Sequence, residues 1–136
     1  MPHSKAIVWI HGVWSTKNRQ HIIRPEIEKE IHNAIKLALA KLGCIVGNVD
    51  GYTDHVHCLF SLGREQTISD VIGRVKGASS YHINKNKLCD FRFEWQEGFA
   101  AYSVSPTDFD RVYRYIKYQK MHHGIGYIIP EHENDQ

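Results

Sequence analysis

The chain has few features of the kind that settle a function at once. It has only three cysteines, Cys44, Cys58 and Cys89, and no two of them form a CxxC pair. The count is odd and each cysteine lies in or beside an apolar segment. That reading gives buried free thiols and argues against a cysteine zinc site or a disulfide framework. No apolar run is long enough to cross a bilayer. The first residues, Met1-Pro2-His3-Ser4-Lys5, lack the apolar stretch of a signal peptide, so a cytoplasmic protein is expected. There is no internal repeat, low-complexity tract or proline-rich linker. Charge of one sign is also lacking: Lys and Arg number 17 against 15 Asp and Glu, a formal net charge of +2. Any surface for nucleic acid must therefore come from local clustering.

What is present is one domain's worth of chain, 136 residues, 42% of them hydrophobic. A single domain spanning residues 1–136 is expected. Ala6–Trp14 is apolar and β-branched and predicts a strand. A polar, basic loop follows. Pro25 suits a first helical turn, and Ile27, Ile31, Ile35, Leu39 and Leu42 recur at helical spacing until Gly43. Cys44–Tyr52 and His55–Ser61 predict a hairpin of two strands turning at Thr53-Asp54. Thr67 with Asp70 resembles a capping box for a second amphipathic helix through Ile68, Val71, Ile72 and Val75 to about Asn86. Cys89–Gln96 alternates Phe91, Phe93 and Trp95 and is ambiguous. Gly98–Ser105 predicts a fourth strand. Thr107 or Asp108 is expected to cap a last helix running to His123, stopped by Gly124 and Gly126. The order β-α-β-β-α-β-α suits an α+β fold: a ferredoxin-like or RRM-like four-stranded antiparallel sheet with two helices on one face, plus a C-terminal helix. Such a sheet leaves its other face for a nucleic acid or an active site.

Ten histidines are present, and two are spaced as a chelate. In Asp54-His55-Val56-His57 the strand alternation points His55 and His57 to one face and Val56 to the other. Two imidazoles so placed can grip one divalent ion. The same spacing also arises from two unrelated histidines on a half-exposed strand. Asp54 either orients a histidine or only makes the turn. His11, His21, His32 and His82 show no pairing logic and read as structural or exposed.

The last helix supplies a second part. At about 100° per residue, Phe109, Val112, Tyr113 and Ile116 form one apolar stripe, which places Tyr113 in the core. Tyr118 falls opposite. Tyr115 lies on the flank one turn before Gln119, on a face not committed to the helix's own core. Read alone, the pair is equally an amphipathic tyrosine with a solvated glutamine. Read with the histidines, it makes chemical sense. His55, His57 and the Gln119 amide oxygen supply three neutral ligands for Mg²⁺ or Mn²⁺, with open positions for phosphate and water. Tyr115 then attacks phosphorus to give a phosphotyrosine. A tyrosine of pKa ~10 needs a metal or nearby cation to ionise.

These residues resemble the single-tyrosine HUH transposases of the insertion-sequence two-hundred type, small proteins related to the REP-associated tyrosine transposases. Asp54-His55-Val56-His57 looks like the family's His-hydrophobic-His motif, and Tyr115-Ile116-Lys117-Tyr118-Gln119 like its Tyr-x-x-x-Gln helix. Trp14-Ser15-Thr16-Lys17-Asn18-Arg19 is similar to its Trp-x-Thr-Lys-x-Arg stretch, and Lys76-Gly77-Ala78-Ser79-Ser80 to its Lys-Gly-x-Ser-Ser. Trp95-Gln96-Glu97-Gly98-Phe99, Ser103-Val104-Ser105 and His122-His123 extend the match over most of the chain. Tyr118 departs from the asparagine more usual beside the glutamine and adds a second candidate nucleophile. The resemblance implies a DNA transposase that cuts and rejoins single-stranded DNA at insertion-sequence ends. It implies a 5′-phosphotyrosine, a free 3′-hydroxyl and hairpins as recognition elements. It also implies a homodimer with composite sites, His55 and His57 from one subunit and Tyr115 and Gln119 from the other. Lys17, Arg19, Arg74 and Lys76 are candidates for phosphate contact and Trp95 for stacking on an unpaired base, against the plainer readings of solvated charges and a core tryptophan. A catalytically silent hairpin-binding protein on the same fold is the alternative. A replication-type or conjugative nickase fits the short chain less well.

Overall fold

The structure, a computed structural model, describes residues 4–119. Seven main elements alternate as expected: β1 Val8–Ser15, α1 Pro25–Lys41, β2 Val46–Tyr52, β3 His55–Leu62, α2 Ile68–Lys85, β4 Ala100–Val104 and α3 Phe109–Lys117. The strands form one sheet in the order β2-β3-β1-β4, and every neighbouring pair is antiparallel. This is the α+β sheet that the element order predicts. No helix among the described residues is long and apolar enough to cross a membrane.

Alternation along β3 divides the molecule. Val56, Cys58 and Phe60 point to one face and join Ile10 and Trp14 of β1. There they meet Ile31, Ile35 and Leu39 of α1 and Val71, Ile72 and Val75 of α2. This is the main core, and the helical spacing of those residues is why the two helices lie flat on it. Gly12 helps: a Cβ there would stand 3.3 Å from Ile72 Cδ1, so glycine lets α2 approach the sheet. Pro25 opens α1, with Glu26 and Glu28 in its first turn where they favour the helix dipole. Past its end, Gly43 adopts φ +83°, a left-handed stop that glycine takes without strain. Thr67 Oγ1 accepts from the Asp70 backbone N–H at 3.1 Å and caps α2 as its sequence suggests.

The differences from expectation lie around α3, and the ambiguous segment takes a form of its own. Cys89–Gln96 forms no strand; only Trp95 bridges, to Thr16. The segment is instead pinned by Asn84, whose side chain donates to Phe93 O (3.0 Å) and accepts from Phe93 N–H (2.7 Å). Asp108 takes the expected N-cap position of α3, but its side chain makes no cap hydrogen bond; with Pro106 and Thr107 it forms a tight turn. Regular α3 ends at Lys117, with Tyr118 at φ −108°, ψ 32°; the expected continuation to His123 lies outside the described residues. The second sheet face is not left free. α3 covers part of it through Val112, Tyr115 and Ile116, which pack with Leu59 and Val104 in a smaller core edged by Trp9, Phe109 and Tyr113.

The hairpin that carries the paired histidines depends on Gly51. It stands opposite Val56, and a Cβ there would fall 2.2 Å from the His55 carbonyl oxygen. Backbone cannot yield as a flexible side chain would. Gly51→Ala should therefore cost about 3 kcal/mol of stability, the upper end of overpacking. Denaturant titration checks this; a cost under ~1 kcal/mol would show that the hairpin tolerates the methyl group.

Candidate active site

The site is built at the N-terminal end of β3, where His55 and His57 follow the turn on the face that α3 covers. Both are buried, at 1% and 0% exposure. α3 brings Tyr115 and Gln119 onto them, at 3% and 0%. The Tyr115 ring stands edge-on to His57 with centroids 5.7 Å apart. Gln119 Oε1 lies 3.4 Å from His55 Nε2, while Gln119 Nε2 donates to Tyr115 O at 3.3 Å and so aims the amide oxygen at the histidine. Thus the four residues singled out as ligands and nucleophile meet in one cluster. They do so within one chain, where the resemblance implies exchange between subunits.

Tyr115 is buried because α3 lies on the sheet through Val112, Tyr115 and Ile116, a face rotated from the predicted stripe. Tyr113 is correspondingly only half-buried, stacked beside Phe109 at 6.1 Å. Its carbonyl accepts from Asn48 Nδ2 of β2. Tyr118 is exposed, as its helical position predicts, with Lys117 Nζ over its ring.

Each paired histidine has its Nδ1 engaged. Asp54 Oδ1 accepts from His55 Nδ1–H at 2.7 Å. His57 Nδ1 is 2.8 Å from His11 Nε2 on β1. His11 is fully buried and was not singled out by its sequence position. The only signal was strand alternation: His11 lies two places from Val13, the partner of His57 across β1 and β3, so the two imidazoles share a face. That signal needs the register, which the sequence does not supply.

Asp54 is a bracket for the whole turn. Thr16 N–H donates to its carbonyl at 2.9 Å, while Thr16 Oγ1–H donates to Gln20 O at 2.7 Å and keeps its oxygen 3.2 Å from the same carbonyl. Arg19 Nε donates to its Oδ2 at 3.2 Å. Asn18 and Arg19 take left-handed φ of 57° and 53° to bring the guanidinium there. So the Trp14–Arg19 stretch holds the histidine turn from behind. Burial pushes the Asp54 carboxyl up, but the His55 hydrogen bond and charge, together with Arg19, outweigh it and bring it from 3.8 to about 2. A depressed carboxyl contributes stability that is fully present above its unfolded value and is lost as the pH falls through the folded one. Asp54→Asn should destabilise the protein by about 1–3 kcal/mol at neutral pH. The gap from wild type should narrow between about pH 4 and 2. Thermal melts across that range check it, and a pH-independent gap would remove the ionic role.

The other candidates are placed as follows. Lys17 pairs with Glu94 at 3.1 Å and stays about half exposed, as does Arg19. Arg74 pairs with Asp70 one turn away and is well exposed. Lys76 Nζ donates to the carbonyls of Gln96 (2.7 Å) and Gly98 (2.8 Å), and burial lowers its pKa. Trp95 donates from Nε1 to Ser79 Oγ at 3.0 Å and packs edge-on against Phe93 and Trp14. Lys17, Lys76 and Trp95 thus border the loop at Glu94–Gly98; Arg19 reaches Asp54 instead, and Arg74 stands apart on α2. Cys44 and Cys58 are buried free thiols, and Cys89 is a half-buried one; burial pushes all three up.

A second group of donors was also not foreseen. Glu28 and His32, one turn apart on α1, and Asp50 of β2 bring their ligand atoms within 4.8 Å of one another. His32 is 7% exposed. Nothing beyond this proximity selects a metal there.

The chain matches the family model "Transposase IS200 like" over residues 4–119. It is 27% identical over 115 residues to the ISDra2 transposase TnpA of Deinococcus radiodurans, covering 80% of this chain and 81% of that protein. Among solved structures it resembles a Deinococcus radiodurans R1 protein assigned as a transposase. There the TM-score is 0.69 at 19% identity, covering 88% of this chain and 98% of the other. It also resembles a REP-associated tyrosine transposase solved with a REP hairpin (TM-score 0.65, 16% identity, covering 94% and 76%). The two structural likenesses speak for the fold, while the match across all the described residues decides the family: this chain belongs to the IS200-like transposases.

Proposed function

We propose that the chain is a metal-dependent nickase and strand transferase that cleaves and rejoins single-stranded DNA at insertion-sequence ends, with Tyr115 as nucleophile. The observation that carries this reading is the convergence of His55, His57, Gln119 and Tyr115 under α3. The donor set fits a divalent ion. Asp54 fixes His55 with its proton on Nδ1, so Nε2 presents a lone pair. The 3.4 Å between that atom and Gln119 Oε1 is close to the ~3 Å between adjacent ligands of an ion bound at ~2.1 Å. His55, His57 and Gln119 would hold the ion, and imidazoles with one amide suit Mn²⁺ at least as well as Mg²⁺. When bound, it supplies charge to offset the scissile phosphate and to favour the tyrosinate.

The remaining work belongs to the chain. Tyr115 Oη attacks phosphorus, an O–P bond forms, and the bond to the 3′-oxygen breaks. That oxygen leaves as a 3′-hydroxyl once protonated, and the 5′-phosphate stays on the tyrosine. The phosphodiester energy is kept, so attack by a 3′-hydroxyl reverses the step and rejoins DNA. Because Tyr115 is 3% exposed, α3 must lift from the sheet for a phosphate to reach it.

DNA contact is proposed for Lys17, Arg19, Arg74, Lys76 and Trp95. The first three carry it best, being exposed and cationic. Lys76 and Trp95 already serve the loop at Gln96–Gly98 and would act by shaping it. The hairpin held by the structurally similar REP-associated transposase supports a hairpin as the recognised element here. A homodimer and a cytoplasmic location complete the reading. The test is incubation with 3′-end-labelled single-stranded hairpin DNA and Mn²⁺ or Mg²⁺, followed by denaturing electrophoresis, because the protein keeps the fragment on the 3′ side of the cut. Label on the protein supports the transferase; hairpin binding with no adduct supports the silent binding protein.

A further inference from the structure

The two paired histidines are held differently. Asp54 is an ionised carboxylate that only accepts, so its bond to His55 Nδ1 fixes one tautomer. The partner of His57 is another imidazole. His11 Nε2 and His57 Nδ1 lie 2.8 Å apart, both rings fully buried, tilted by 26° with centroids 5.0 Å apart. Between two neutral imidazoles one nitrogen must donate and the other accept. If His57 Nδ1–H donates, His57 Nε2 has its lone pair on the far side of the ring. If His11 Nε2–H donates, His57 carries its proton on Nε2 and cannot ligate through it. The competence of one of the two histidines thus depends on a third.

We infer that His11 is a positioning residue. It stands in the Nδ1–H tautomer, accepts from His57 Nδ1–H through Nε2, and thereby holds the His57 ring with Nε2 ready to ligate. The place of His11 suits that task. It sits on β1, the strand paired along the whole of β3, so its backbone is set by the sheet rather than by a loop. Its ring is flanked by Tyr102 at 6.0 Å and Tyr115 at 6.2 Å, which restrict its rotation. A carboxylate at this position would also fix the tautomer, but it would bring a negative charge beside Tyr115, where a tyrosinate must form. A neutral acceptor orients the ligand without that opposition.

This inference rests on the metal-site reading above, so its test uses an observable that exists without metal. Long-range ¹H–¹⁵N NMR of histidine-labelled, metal-free protein reports which nitrogen of His57 is protonated. Nδ1–H is expected in the wild type and in His11→Gln, whose amide oxygen can replace the acceptor. In His11→Phe the Nε2–H form should appear. Mn²⁺ affinity, read by electron paramagnetic resonance of the free ion, should fall about 10- to 100-fold in His11→Phe and recover substantially in His11→Gln. A wild-type His57 protonated on Nε2 would overturn the assignment, with no need for a folded variant. So would a His11→Phe protein that keeps both tautomer and affinity. A wild-type protein that shows the Nδ1–H form yet binds no Mn²⁺ would instead overturn the metal reading and leave the His11–His57 pairing supported.

Discussion

Tyr115→Phe should abolish the covalent protein–DNA adduct, by at least ~10⁴-fold, while leaving hairpin binding and folding near wild type. The size of the effect follows from the chemistry: phenylalanine has no oxygen to attack phosphorus, and removing a nucleophile outright commonly costs that much or more. The specificity follows from the structure. The phenyl ring keeps its edge-on packing against His57 and His11 and its place among Leu59, Val112 and Ile116. Stability should therefore change by no more than about 1 kcal/mol, the worth of one hydrogen bond. Tyr118→Phe is the control. The residue is 44% exposed and its ring contact is with Lys117 Nζ, not with a histidine, so the adduct should persist. Tyr113→Phe should also retain it, because the fold uses that residue's carbonyl rather than its hydroxyl to meet Asn48. If the adduct instead vanished in Tyr118→Phe and survived in Tyr115→Phe, the nucleophile would move to Tyr118. An adduct that survived both changes would end the tyrosine mechanism.

The order of the elements and the pairing of His55 with His57 were legible in the sequence, because both rest on local periodicity. Val56, Cys58 and Phe60 face the main core because His55, His57 and Leu59 alternate with them and face the other way, and a period of two leaves no further choice. Three things were not legible, each for a physical reason. The face of α3 depends on what it packs against. Four apolar side chains make a stripe in the sequence, but the sheet receives Val112, Tyr115 and Ile116, and that rotation carries Tyr115 inward. His11 acquires its partner through the β1–β3 register, a relation between residues 46 positions apart. Cys89–Gln96 has the alternation of a strand, but its backbone meets the Asn84 side chain where a neighbouring strand would have been needed. The fragments that carry the family resemblance also gain a meaning they lacked as letters. Thr16 and Arg19 grip Asp54, and Lys76 and Ser79 grip the loop at Trp95–Gly98. They build the frame around the histidines.

Mixing two inactive variants, His57→Ala and Tyr115→Phe, should restore no adduct. The reasoning begins with connectivity. α3 reaches the histidines of its own chain, placing Gln119 beside His55 and Tyr115 beside His57. A site completed this way needs both parts from one polypeptide, so each variant in the mixture stays dead. Composite sites in a homodimer give the opposite result. A heterodimer would then hold one site with two wild-type halves, His57 from the Tyr115→Phe subunit and Tyr115 from the His57→Ala subunit. Random pairing would recover about a quarter of the wild-type sites. The two outcomes are separated by presence or absence of labelled protein, which no error in concentration can blur. What makes the exchange physically accessible is the modest holding of α3. It packs on a small cluster on the far side of the sheet from the main core, and it follows a short turn at Pro106–Asp108. Lifting it exposes far less apolar surface than unfolding the sheet, so an open state lies at the low end of the protein's local stabilities. The same lifting admits a phosphate to Tyr115. Recovery near a quarter would show that the lifted helix closes on the partner's histidines, and the arrangement within one chain would then be the resting form. No recovery, with the dimer verified by sedimentation, would show that α3 lifts and returns to its own sheet.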